Sequence, residues 1–184
     1  MSKKLSEMTL EELWQLFPIF LTEPNPNWAE WYNDEKDLLK KILPAETEFY
    51  HIGSTAINGI WAKPIIDILV VVNNCSQLKN VADTLQNNGY IIMSANNKRI
   101  SLNKGYTENG FAEKVFHLHI RLKDDIDEIY FRNYLNAHPD IAQEYEKLKL
   151  SLWKEYEHNR DAYTEAKTDF VKKYTRLAKE NYNG

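Results

Sequence analysis

A second cysteine is missing from this 184-residue chain, so Cys75 has no partner for an intrachain disulfide, and no CxxC pair exists. That fits a reducing compartment. Cys75 is expected to fill space at a strand end rather than act as a nucleophile. A long apolar run is also missing: the opening MSKKLSEMTLEELWQLF has two lysines and then glutamates. Neither a signal peptide nor a membrane span is expected, and the expected location is cytoplasmic. Nor is there an excess of positive charge, with 23 Lys and Arg against 27 Asp and Glu, a net charge of −4, and the two signs interspersed. The overall balance argues against a nucleic-acid partner, while a local basic pocket stays open. Repeats, low-complexity tracts and linkers are absent too. What remains, 43% hydrophobic and 27% charged residues, reads as one domain, 1–184, with a substantial buried core.

Along the chain, Thr9 and Glu12 match a capping box ahead of a short apolar helix. EPNPN (23–27) ends it, Asn27 is expected to cap a second helix carrying Trp28, Trp31, Leu39 and Ile42, and Pro44 stops that one. EFYHI reads as a strand ending at Gly53. PIIDILVVV reads as a central strand covered on both sides, because its β-branched residues fall on both parities. A helix over 76–88 follows, then a hairpin from YIIMS and RISL, and then a polar loop, NKGYTENG (103–110). EKVFHLHIRL alternates, with Phe116, Leu118, Ile120 and Leu122 on one face and His117, His119 and Arg121 on the other. From Asp125 onward the pattern is mainly helical, with amphipathic helices over 139–157 and 161–181. The class is α+β, a mixed β-sheet flanked by helices with a C-terminal helical pair.

The chemistry starts at Asp67, a carboxylate inside that apolar strand. Burying it unpaired is costly, so it meets a cation: either a structural partner such as Lys63, or a bound metal ion. Just upstream, Gly53-Ser54-Thr55 follows a strand and offers backbone N–H groups and two hydroxyls suited to phosphate oxygens. A Gly-Ser turn after a strand, with an acid 12 residues beyond Thr55 inside the next strand, resembles the signature of the nucleotidyltransferase fold. Catalytic members carry a second acid two residues on, where this chain has Leu69.

Further ligands must then come from elsewhere, and His117 and His119 are the candidates. They project from one face of one strand, either as two imidazoles on one cation or as a solvated polar face. With Asp67 they suit zinc, manganese, iron or nickel better than magnesium. His51 is either part of the same pocket or a hydrogen-bonded structural histidine. Lys63 and Arg99 are candidates to neutralise phosphate charge, and Arg132, among aromatics, leans towards a structural role. His138 and His158 have no assigned role.

Three blocks in order, HIGSTAINGIWAKPIIDILV, FHLHI, and YFRNYLNAHPDIAQEYEKLKLSLW with NRDAYTEAKTDFV, resemble the GrpB family from about Trp28 to about Tyr174. Residues 1–27 read as an N-terminal extension. Ile57-Asn58 stands where the family has Val-Pro, and Leu69 is similar to the family's own pattern. The resemblance implies a nucleotidyltransferase-like fold and nucleotide-related metabolism. The expectation is a metal-dependent enzyme transferring a nucleotidyl or phosphoryl group on a nucleotide or other phosphate-bearing small molecule. Gly53, Ser54, Thr55, Lys63 and Arg99 would bind phosphate, and Asp67, His117 and His119 would hold a divalent ion (magnesium, manganese or zinc), with Asp67 central to catalysis. A non-catalytic nucleotide- or metabolite-binding module and a metal-dependent phosphohydrolase are the alternatives. No oligomeric state is implied.

Overall fold

β-Branched residues on both parities build the strand that organises the molecule. A computed structural model describes residues 3–182; the expected domain and extension also include residues 1, 2, 183 and 184, which lie outside the described residues. Among the described residues, five strands form one mixed sheet: β1 (Glu48–Ile52), β2 (Ile65–Val72), β3 (Ile91–Ala95), β4 (Ile100–Thr107) and β5 (Gly110–Leu122). Their order is β1-β2-β5-β4-β3. β2 runs parallel to β5, and every other neighbouring pair is antiparallel. β2 is therefore interior, and all but one of its residues are buried. The exception is Asp67.

The helices are α1 (Leu10–Leu16), α2 (Asn27–Ile42), α3 (Cys75–Asn87), α4 (Asp127–Ala137), α5 (Pro139–Glu155) and α6 (Arg160–Tyr182). Ile66, Ile68 and Val70 from β2 and Phe116, Leu118 and Ile120 from β5 share one face. There they bury against Trp28 and Leu39 of α2 and Leu78, Val81 and Leu85 of α3. On the opposite face Ile52, Leu69 and Val71 meet Ile126 and Ile129 at the start of α4. A second apolar cluster, including Phe131, Leu135, Tyr145 and Tyr174, ties α4, α5 and α6 together beside that face. No helix among the described residues is long and apolar enough to cross a membrane.

Local signals explain most element boundaries. The Thr9–Glu12 box forms, with Glu12 N donating to Thr9 Oγ1 at 3.2 Å and Thr9 N donating to Glu12 Oε2 at 2.7 Å. Pro139 opens α5 at a position where its missing N–H costs nothing.

Three expectations are corrected. Asn27 is the first helical residue of α2 rather than its cap, and its N–H donates to Asn25 Oδ1 instead. Cys75 starts α3 and is exposed, because Asn74 caps the helix and turns that position to solvent. The segment 103–110 is mostly strand: its polar side chains hid a long β4–β5 hairpin that continues to Thr107 and Gly110. The expected C-terminal helical pair is α5 and α6, and the mainly helical stretch from Asp125 also holds α4, separated from α5 only by His138.

One irregularity positions the site. The β4–β5 register shifts between Lys104 and Tyr106, and Gly105 there has φ of 90°. Regular alternation would put Tyr106 on the face opposite Asn103, which pairs with His117. The bulge at Gly105 reverses that parity and brings Tyr106 onto the His117 face.

Candidate functional site

Parallel pairing keeps the side-chain alternations of β2 and β5 in phase. Asp67 lies opposite His117 and Leu69 opposite His119, so all four side chains rise from the same face. His119 Nε2 sits 3.0 Å and His117 Nδ1 3.6 Å from the same oxygen, Asp67 Oδ1. Donor atoms from the three residues lie within 4.8 Å of one another. Two imidazole nitrogens and one carboxylate oxygen fit a borderline ion such as zinc, whereas magnesium asks for an oxygen-rich shell.

Burial would by itself raise the Asp67 pKa. The two imidazoles beside it more than reverse that and hold the carboxylate ionised, well below its ordinary range. Burial takes the His117 imidazole down to about 4 against the opposing pull of Asp67. Its Nε2 is 2.8 Å from the Tyr106 hydroxyl, which leaves Nδ1 as the nitrogen turned to Asp67. Arg160 braces the same pair: Nη1 donates to the Tyr106 hydroxyl at 3.3 Å, and Nη2 is 3.5 Å from His117 Nδ1.

The triad lies in a cleft of about 970 Å³ between the sheet and α4–α6. Gly53 and Ser54 form part of its edge. Gly53 has φ of 71° and ψ of −173°, a conformation essentially restricted to glycine. A Cβ there would fall onto Asp67 Oδ2, with Asp67 Cβ and Cγ each 3.0 Å away. The absence of a side chain is what lets the turn and the carboxylate share one corner. Lys63, Lys149, Arg160 and Lys167 line the wall.

A family model described as GrpB protein matches residues 18–177. The chain belongs to the GrpB family. Relatives of this GrpB chain include the glutamate-rich protein GrpB of Alkalihalophilus pseudofirmus, 34% identical over 83% of this chain and 91% of that protein. The UPF0157 protein YqkA of Bacillus subtilis is 32% identical over 80% of this chain, which spans only 43% of YqkA's length. Among solved structures, the conserved protein GrpB from Enterococcus faecalis has a TM-score of 0.77 and 31% identity, covering 90% of this chain and all of that one. Cid1 in complex with its short product ApU is far more distant, at a TM-score of 0.48 and 14% identity over 70% of this chain and 40% of that one.

Of the residues expected in the site of this GrpB chain, Asp67, His117, His119, Gly53, Ser54 and Lys63 come together around the cleft. Lys63 is not the ion-pair partner of Asp67; the two histidines are. Thr55 is present, but its hydroxyl is held by His51 Nε2 at 2.9 Å and donates to the Ile65 carbonyl at 3.4 Å. It anchors the turn to the start of β2. His51 stacks on Tyr32 at 4.8 Å, and burial lowers its pKa to about 4. Its carbonyl accepts from Arg132 Nη1 at 2.6 Å, a structural use of both residues. Arg99 reaches the edge of the cleft, 53% exposed, with its guanidinium forked onto Asp125 at 2.6 Å. Sequence reasoning missed Tyr106, Lys149, Arg160 and Lys167. A signal existed for Lys149, which lies on the buried row of α5 with Ala142 and Tyr145, where a lysine is out of place.

Proposed function

We propose that this GrpB chain is a divalent-metal-dependent enzyme of nucleotidyltransferase-like fold, acting on a nucleotide or other phosphate ester by nucleotidyl or phosphoryl transfer. One observation carries this reading: Asp67, His117 and His119 converge within 4.8 Å in a cleft whose edge is the Gly53-Ser54 turn and whose wall is cationic. The three residues would hold the ion, which when bound supplies positive charge to phosphoryl oxygens. The Gly53 backbone and Ser54 bind phosphate oxygens at the edge, where the missing Cβ permits close approach. Tyr106 and Arg160 keep His117 oriented, and Lys63 balances phosphate charge.

A binding module without catalysis has one observation in its favour. Leu69, at the second-acid position, is 0% exposed and embedded with Ile52 and Val71, so Asp67 has no carboxylate partner there.

A thermal-shift panel with Zn²⁺, Mn²⁺ and Mg²⁺, each with and without the four NTPs, tests both. Ligand at a hundredfold its Kd adds about 2.7 kcal/mol, several degrees for a domain of this size. The enzyme reading expects a metal-dependent nucleotide shift that Asp67→Asn abolishes while still folding, and product formed under the same conditions. Saturable binding with no product under any metal would leave the binding module; an Asp67→Asn protein with full activity would refute the metal role.

A further inference from the structure

The triad and the turn leave the inner wall of the cleft unexplained. Lys63 from the segment before β2, Lys149 from α5, and Arg160 and Lys167 from α6 converge there. The ammoniums of Lys63 and Lys167 lie 5.6 and 4.2 Å from the centroid of one ring, Tyr163, and Lys149 lies 4.9 Å from that of Tyr145. Among the described residues, none of these three lysines has a carboxylate oxygen within 4 Å of its ammonium. The contrast further along α6 is informative, because Arg176 and Lys179 pair with their own acids, Glu180 and Asp127. Among the described residues of the inner wall, that positive charge has no such paired acid.

Two further facts agree. Burial together with repulsion from neighbouring cations pushes Lys63 and Lys149 down to about 7 and Lys167 down to about 8. The Tyr163 hydroxyl is fully buried and has no hydrogen-bond partner among the described residues. Like charges gathered out of water beside an unused donor are costly unless an anion completes them. An anion entering the cleft would restore full protonation to the lysines, and four cations less the one Asp67 carboxylate then leave more charge than a single phosphate dianion balances.

We propose that Lys63, Lys149 and Lys167, with the Tyr163 hydroxyl, form a second anion subsite that takes the distal end of a chain of two or three linked phosphates. The placement of the ligand's near end at Gly53-Ser54 rests on the enzyme reading above; the subsite itself needs neither metal nor turnover. The shared chemistry is a polyphosphate chain, whether inorganic or carried by a nucleoside.

Calorimetric titration with sodium tripolyphosphate, orthophosphate and ATP, in EDTA at pH 7, tests this on the full chain. Tripolyphosphate is expected to bind at least about tenfold more tightly than orthophosphate. Lys167→Gln should weaken tripolyphosphate by about tenfold or more, the scale of one lost charge-assisted contact, while Lys167→Arg retains it. Lys63→Met, made in parallel, should show the same loss, so the test survives if Lys167→Gln folds poorly. Asp67→Asn should bind tripolyphosphate at least as well as the wild type, since no ion is involved. ATP binding more tightly than tripolyphosphate assigns the chain to a nucleoside polyphosphate, and equal or weaker binding assigns it to an inorganic one. Unchanged tripolyphosphate binding in folded Lys167→Gln and Lys63→Met, or its loss in Asp67→Asn, would overturn the subsite. A protein that forms no product yet binds in the expected pattern loses the enzyme reading and keeps the subsite. An active enzyme with indifferent lysine variants does the reverse.

Discussion

Replacing Gly53 with alanine tests whether the turn and the metal triad are one unit. Two penalties act at this position. The first is conformational: φ of 71° with ψ of −173° costs a residue with a Cβ about 1–3 kcal/mol. The second is steric, because the new Cβ falls onto Asp67 Oδ2 with Cβ and Cγ at 3.0 Å, and overpacking of this kind costs about 1–3 kcal/mol. Gly53→Ala should therefore lose about 2–6 kcal/mol, or roughly 4–24 °C in Tm. It should also weaken Zn²⁺ binding, since the carboxylate that moves is a proposed ligand. A double-mutant cycle separates the penalties. In the Asp67→Ala background the oxygen and Cγ are gone, so only the conformational penalty remains in full, and urea melts should show a coupling of about 1–2 kcal/mol. Additive effects, or a Gly53→Ala protein with wild-type stability and zinc affinity, would refute the shared corner.

Three further predictions follow the same geometry. Tyr106→Phe removes the hydroxyl at His117 Nε2 but keeps the ring against Phe17 and Phe111, so zinc affinity should fall about 10–100-fold with stability within about 1.5 kcal/mol by urea melts. Lys149 is 2% exposed with its pKa lowered from 10.5 to about 7, so between those values the unfolded chain holds a proton that the folded chain has shed, and stability rises with pH. Lys149→Met removes that contribution: the wild-type minus variant stability should grow by about 2 kcal/mol between pH 7.5 and 9, and parallel curves would refute the lowered pKa. Arg132→Met strips the donor from the His51 carbonyl and should cost about 1–3 kcal/mol while leaving zinc affinity unchanged, measured by melts and titration.

The floor of the site was legible in the sequence because strands write their faces at a period of two. One acid on a run of Ile and Val, and two histidines alternating with Phe, Leu and Ile, announce a polar stripe on an otherwise apolar sheet. The wall was legible only in part: Lys63 stood out ahead of the β2 block, and Lys149 shares the buried row of α5 with Ala142 and Tyr145. Lys167 sits among the many lysines of a long helix, and only the packing of α6 beside the sheet turns it inward. Tyr106 was hidden for a different reason: its face depends on the bulge at Gly105, and in a polar segment a bulge leaves no trace in the alternation. Arg99 misled in the opposite direction, since its partner Asp125 is 26 residues away in a segment that carried no signal.

The pairing of β2 with β5 also fixes when such a site can exist. Asp67 and His119 are 52 residues apart in sequence, and their strands meet in parallel, so no local hairpin can bring them together. A slip of one residue would turn the histidines to the opposite side of the sheet. Two of the three donors share β5, but the full set exists only in this register, and a bound zinc ion would act as a gauge of it. In a denaturant titration, release of the ion should coincide with loss of the far-ultraviolet signal rather than precede it.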